Sequence, residues 1–131
     1  MNKHSIMDSL TKLEVYLTEA RTADENGDGV DLRSLEGDVL FVLNALPTGA
    51  DADETLDVKI QDSADNSSFA DISGQTAAFT QVTQPNGAKC LTLVLNKDAL
   101  RRYVRAVVDV GGTTRAFTLS VTAFGIPKYP A

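Results

Sequence analysis

The chain of 131 residues has no tryptophan, one cysteine, one histidine, three tyrosines and five phenylalanines. Each scarcity narrows the chemistry. A core without Trp has to be largely aliphatic. The single Cys90 cannot close an intrachain disulfide, and its place in the apolar run CLTLVL predicts a buried thiol that packs as a small hydrophobe. His4 stands near the N-terminus, far in sequence from any positioned nucleophile, so a Ser-His-Asp or Cys-His arrangement has no support and the chain reads as a non-enzyme. Long apolar runs are missing too: VLFVLNAL is interrupted at Asn44 and closed by Pro47, well short of the roughly 20 residues of a membrane helix. Asp8, Lys12 and Glu14 break what would be the apolar centre of a signal peptide, which predicts synthesis in the cytoplasm.

What is present is average for a globular domain, with 43% hydrophobic and 23% charged residues, and the length fits one domain. The net charge of −6 is unevenly spread. Residues 1–71 hold 16 acids and 5 bases, whereas residues 72–131 hold 2 acids and 7 bases. Two such halves would neutralise each other inside one domain, or make copies self-complementary in an oligomer. The overall acidity argues against a nucleic-acid partner, whose phosphates need a basic face.

Apolar spacing is mostly that of strands. Leu56, Val58 and Ile60 alternate with Asp57, Lys59 and Gln61, as in a strand with one dry and one wet face. The turn formers Asp65, Asn66 and Ser67 then predict a hairpin tip. VLFVLNAL is so uniformly apolar that it reads as a strand covered on both sides. Further strands are expected at AFTQV, KCLTLVL, RRYVRAVVDV and RAFTLSVTAFG, the last two joined as a hairpin through Gly111 and Gly112. Val104, Ala106, Val108 and Val110 share one face of the first of this pair, and Phe117, Leu119, Val121 and Ala123 one face of the second. Asn96 is positioned to cap a short turn over Lys97 to Arg101. About seven short strands with turn signals between them predict an all-β, antiparallel β-sandwich of jelly-roll or immunoglobulin-like type. Residues 1–22 read as an N-terminal arm with a short strand, since LEVYL alternates, and residues 23–131 as the sandwich domain.

Two local features invite a functional reading. DENGDG places Asp24, Asn26, Asp28 and Gly29 at the first ligand positions of an EF-hand loop, but the twelfth position is Leu35, so the bidentate acid is out of register. The expectation is an Asp/Asn/Gly turn bonded to its own backbone, with no metal and no cofactor. Asp57, Asp62, Asp65 and Asp71 fall in turns or on wet faces, which gives no carboxylate pair in an apolar pocket. The cluster Arg101, Arg102, Tyr103 and Arg105 is either a solvated edge paired with the acidic half or an interface patch, because Arg and Tyr are enriched at binding hot spots.

Three segments together resemble small β-sandwich virion proteins of tailed phages, the capsid cement or decoration proteins. They are the strand Leu56 to Gln61, followed by the hairpin Ser63 to Asp65 and Phe69, where the family would have Trp; the strand Arg102 to Ala106; and the turn Gly111 to Thr113. The resemblance covers about residues 30–125. It implies a protein that sits on the virion's outer capsid surface, binds the major capsid protein, stabilises the shell and forms a homo-oligomer, with a trimer favoured. Contacts are then expected from the arm, at Leu10, Leu13 and Tyr16, and from Arg102, Tyr103 and Arg105. A tail, neck or head-fibre component and a carbohydrate-binding module remain the alternative readings, the latter weakened by the missing Trp.

Overall fold

A computed structural model describes residues 10–49, 51–84 and 87–128, without the side chains of residues 17–19. His4, Tyr129 and residues 1–9 of the expected arm lie outside the described residues. Among the described residues ten strands follow one another: β1 (Thr11–Arg21), β2 (Glu25–Asn26), β3 (Val30–Asp31), β4 (Leu35–Pro47), β5 (Thr55–Ser63), β6 (Ala70–Asp71), β7 (Val82–Thr83), β8 (Lys89–Asn96), β9 (Tyr103–Gly111) and β10 (Phe117–Pro127). They build two antiparallel sheets. Sheet A has the order β1-β10-β4-β8. In sheet B, β9 and β5 are the central pair, with β2 and β3 on the outer side of β9 and β6 and β7 on the outer side of β5.

Taking β2 with β3 and β6 with β7 as single interrupted strands leaves eight positions. Their sequence order is 1-8-3-6 in one sheet and 2-7-4-5 in the other. This interleaving is that of a jelly roll, and it decides against the immunoglobulin-like alternative, in which the first two strands share a sheet.

The inward faces are the alternating sets read from the sequence. Leu56, Val58 and Ile60 of β5, Val104, Ala106, Val108 and Val110 of β9, and Phe117, Leu119, Val121 and Ala123 of β10 are all buried. They meet Val39, Phe41, Leu43 and Ala45 of β4 across the core. The hairpin β5–β6 is present, with Gln61 opposite Asp71 and Asp62 opposite Ala70. Asn66 takes a left-handed φ of 61° at its tip. The carboxylate of Asp65 accepts the N–H groups of Ser67 and Ser68 there, each at 2.9 Å. Chiefly the Ser68 N–H, then the Ser63 hydroxyl, hold that carboxyl down to a pKa of about 2.

Four readings change. β9 and β10 are not a hairpin: β9 is flanked by β5 and by β2 and β3, β10 by β1 and β4, so both neighbours of each are taken and the glycine turn carries the chain between sheets. Gly112 makes that passage at a φ of 112°, with the position of a Cβ only 2.8 Å from Glu54 Cα, a place for glycine alone. β4 is covered on one side only, its outer residues Leu40 and Val42 being half-buried and Leu46 48% exposed. Cys90 is exposed rather than buried, because β8 is an edge strand that turns Leu91, Leu93 and Leu95 inward and Cys90 out. β1 is eleven residues long and pairs with β10 from Thr11 opposite Gly125 to Arg21 opposite Phe117. Half of the expected arm, 11 of its 22 residues, is thus the edge strand of sheet A.

Candidate functional site

Two surfaces carry the residues singled out from sequence, and a third emerges from the fold. At the start of β9, the chain brings Arg101, Arg102, Tyr103 and Arg105 against the acidic half. Arg101 clamps Asp62: its backbone N–H reaches Oδ2 at 3.0 Å, while Nε and Nη2 reach Oδ1 at 3.0 and 2.8 Å. Asp62 is only 5% exposed. It continues the inward series Leu56, Val58, Ile60, so the spacing that marked a dry face also marked this carboxylate, although the sequence reading placed it among wet acids.

Arg102 holds Asp31 through Nε, at 3.1 Å to each carboxylate oxygen, and Nη2 at 2.8 Å, and its guanidinium stands 4.9 Å from the centroid of Tyr103. The Arg102 hydrogen bond is the main cause that keeps the Asp31 carboxyl below the usual range. Arg105 donates to Gln61 Oε1 at 3.0 and 2.8 Å and lies 4.5 Å over the Phe69 ring. The three arginines, therefore, are first of all partners of residues elsewhere in the chain. Arg102 remains exposed, and Tyr103 and Arg105 half-buried.

The arm residues separate. Leu10 and Leu13 are half-buried, and Leu13 packs on the core opposite Ala123. Tyr16, expected at a contact surface, is instead a core residue at 5% exposure, its hydroxyl donating to Glu25 Oε2 at 2.7 Å. The reason is a register shift between Glu14 and Tyr16, which turns both Val15 and Tyr16 inward. Simple alternation hides such a bulge.

The DENGDG segment is tied into the edge of sheet B rather than forming a turn bonded to its own backbone. Glu25 and Asn26 pair with Val108 and Val107 of β9, and Gly27 donates its N–H to Ala106 O at 2.8 Å. Asp24 Oδ1 accepts the Val110 N–H at 2.9 Å. The segment borders a groove of about 510 Å³ on the outer face of sheet B, lined in part by Asp24, Asn26, Asp57, Lys59, Phe79 and Asp109. Asp57 and Asp109 are directly opposite each other across β5 and β9. The charge of Asp24, then burial and further contributions from Asp24 and Asp57, pushes the Asp109 carboxyl above its ordinary 3.8.

A raised folded-state pKa means that ionisation of Asp109 weakens the fold. The penalty is absent below 3.8, grows as pH rises and is complete above the folded pKa. Asp109→Asn is accordingly expected to raise Tm at pH 7 and to leave it unchanged below pH 3.8, as differential scanning calorimetry at the two pH values would read. A gain of equal size at both would trace the effect to packing instead.

The third surface is the outer face of sheet A. Cross-strand rows on β10, β4 and β8 run Thr118–Leu46, Ser120–Asn44–Cys90, Thr122–Val42–Thr92 and Phe124–Leu40–Val94. Ile126 is 45%, Leu46 48% and Val94 56% exposed, and all three lie on this face. Its charges stand at the rim: Lys12 and Glu14 pair at 3.4 Å on β1, opposite Phe124 and Thr122, while Glu36 and Asp38 lie at one end of β4. The sequence hid this surface behind the assumption that β4 was covered twice.

No family model and no curated protein matches the chain. Solved structures do. The chain is similar to the infectious bursal disease virus VP2 subviral particle, at 9% identity and a TM-score of 0.54, covering 90% of this chain and 32% of that one. The SPBc2 prophage-derived protein YomS aligns over 88% of this chain and 93% of its own, at 15% identity and a TM-score of 0.47. The xylan-binding module CBM15 aligns over 92% and 98%, at 13% identity and 0.46. The VP2 likeness is one of fold, and this chain spans about a third of that protein. The other two stay below the level of a shared fold.

Proposed function

We propose that the chain is a structural virion protein that attaches to the outside of a phage capsid and stabilises it, as the cement proteins it resembles do, with the major capsid protein as its partner. The observation that supports this reading best is the outer face of sheet A. A sheet face of aliphatic, threonine, serine and asparagine side chains, uncharged except at its rim and carrying the exposed Leu46, Val94 and Ile126, has the make-up of a protein contact surface. The corner of Arg102, Tyr103 and Arg105 supplies a second, polar contact. The jelly roll itself is a fold that a virus-particle protein also uses.

Stacking on a sugar ring finds less support. Tyr16 is buried, and the Tyr103 ring is occupied by Arg102.

The test is co-expression with a major capsid protein from the same genome, followed by sedimentation of the assembled shells. The chain is expected to sediment with the shells in stoichiometric amount and to raise their melting temperature. Val94→Asp and Leu46→Asp, both on exposed positions, are expected to release it without unfolding it. Shells that form and melt identically with no chain attached would refute the reading, and attachment to tails alone would transfer it to a tail or neck protein.

A further inference from the structure

A jelly roll has four lateral edges, and in this chain three of them are blunted. β1 loses register with β10 twice, between Glu14 and Tyr16 and again between Tyr16 and Glu19. The edges of sheet B are broken into the two-residue strands β2 and β3 on one side and β6 and β7 on the other. The fourth edge, β8, runs without a register shift through eight pairs, from Asn96 opposite Asp38 to Lys89 opposite Ala45. It contains no proline, and its only charge is Lys89 at one end. Soluble proteins rarely leave such an edge bare, since its free N–H and C=O groups are a template for another strand.

Gln75 shows which main-chain groups are on offer. Its Oε1 accepts the Asn96 N–H at 2.8 Å and its Nε2 donates to the Asn96 carbonyl at 3.3 Å. A side-chain amide carries the donor and acceptor of a peptide group, so Gln75 stands in for one residue of a neighbouring strand and ends the open edge at Asn96. Both Asn96 groups consequently point away from β4. Because main-chain direction alternates along a strand, those of Cys90, Thr92 and Val94 point the same way.

We propose that β8 pairs antiparallel with β8 of a second copy of this chain across a two-fold axis at Thr92, joining two sheets A into one eight-stranded sheet. In this register Cys90 faces the partner's Val94, Thr92 faces the partner's Thr92, and Val94 faces the partner's Cys90. It is the register that pairs all three outward-pointing residues with one another and leaves Asn96 to Gln75. About six main-chain hydrogen bonds form, two for each such pair. On the inner side, the half-buried Leu91 and Leu93 meet the partner's Leu93 and Leu91, which closes the side of the core that β8 leaves thinly covered. Lys89 arrives at the partner's far end, where Asp38 and Asp98 lie, so unlike charges meet and like charges are kept apart. A three-fold ring of sheets would need two different open edges in each copy, and the described residues provide one. The geometry thus favours a dimer over the trimer implied by the resemblance. It is independent of the capsid reading, since it concerns the isolated chain.

Sedimentation equilibrium of the purified full chain is expected to give twice the chain mass of 14.0 kDa. Thr92→Lys puts two ammonium groups opposite each other on the axis from an exposed position; it is expected to weaken the dimer by about tenfold or more while the monomer keeps its Tm. In a Cys90→Ser background, Thr92→Cys brings two thiols to a pair whose Cα atoms are about 5.5 Å apart, within disulfide reach. Oxidation should therefore yield a covalent dimer. A monomer or trimer mass for the unaltered chain, an unchanged dimer in Thr92→Lys, or failure of the Thr92→Cys chain to cross-link would each overturn the proposal.

Discussion

Removal of residues 1–21 is expected to leave a chain that does not fold at 25 °C, seen as loss of the strand signal in circular dichroism and of a cooperative denaturant transition. An arm that merely trails from a finished sandwich would be dispensable, and the division at residue 22 implies as much. β1, however, supplies Val15 and Tyr16, both buried, and the half-buried Leu13. Each fully buried large side chain stabilises by about 1.5–3 kcal/mol. Tyr16 also donates to Glu25, which forms an ion pair with Arg21 at 2.7 Å, so the cut removes both partners of that carboxylate. It further strips one side of β10 of its ladder. Set against a typical total stability of about 5–15 kcal/mol, the sum of these losses takes most or all of the margin. A truncated chain with an unchanged unfolding midpoint would return β1 to the status of an arm.

The second large effect concerns the buried carboxylates, where two changes of similar chemistry are expected to have opposite signs. Asp62→Ala should destabilise by about 2–3 kcal/mol in urea titration, because it strands the Arg101 backbone N–H and undoes a charge-assisted clamp. Glu54 is the contrasting case. It is fully buried, and neither carboxylate oxygen has a hydrogen-bond partner among the described residues. A Cβ on Gly49 would fall 1.6 Å from Glu54 Oε1 and 2.2 Å from the Thr114 carbonyl oxygen, so these two acceptors lie within 3.8 Å of each other, and Oε1 has no donor among the described residues. Glu54→Gln supplies that donor and is expected to stabilise. If Asp62→Ala were neutral, the Arg101 clamp would be ornamental; if Glu54→Gln were destabilising, the carboxylate would have a use that its surroundings do not reveal.

The legible part of the fold was the part governed by period two. Alternation assigned the inner faces of β5, β9 and β10 because those strands are regular and half-buried, and the Ser63 to Ser68 tip was legible because its turn residues bond locally. Pairing between distant strands leaves no such local trace. Gly111 and Gly112 look the same whether they close a hairpin or cross between sheets, and only the occupancy of both neighbours of β9 and β10 decides. Cys90 was misplaced for a related reason: an apolar run does not disclose that its strand is an edge. At the candidate site, Arg102, Tyr103 and Arg105 were found by composition. Their partners Asp31, Gln61 and Phe69 were not, being separated from them by 71, 44 and 36 residues. The uncharged face of sheet A needed the sheet order before it could be seen as one surface.

That sheet order also sets a clock. β10, the last of the described strands, fills the gap between β1 and β4, so neither can gain that neighbour until residues 117–127 have been made. At about 5–20 residues per second, the ribosome needs on the order of ten seconds between completing β1 and completing β10. A small β protein folds in milliseconds to seconds once its strands are present. Sheet A therefore closes only once β10 has been made, and for those seconds the nascent chain carries β1 and β4 each without the neighbour that later joins them.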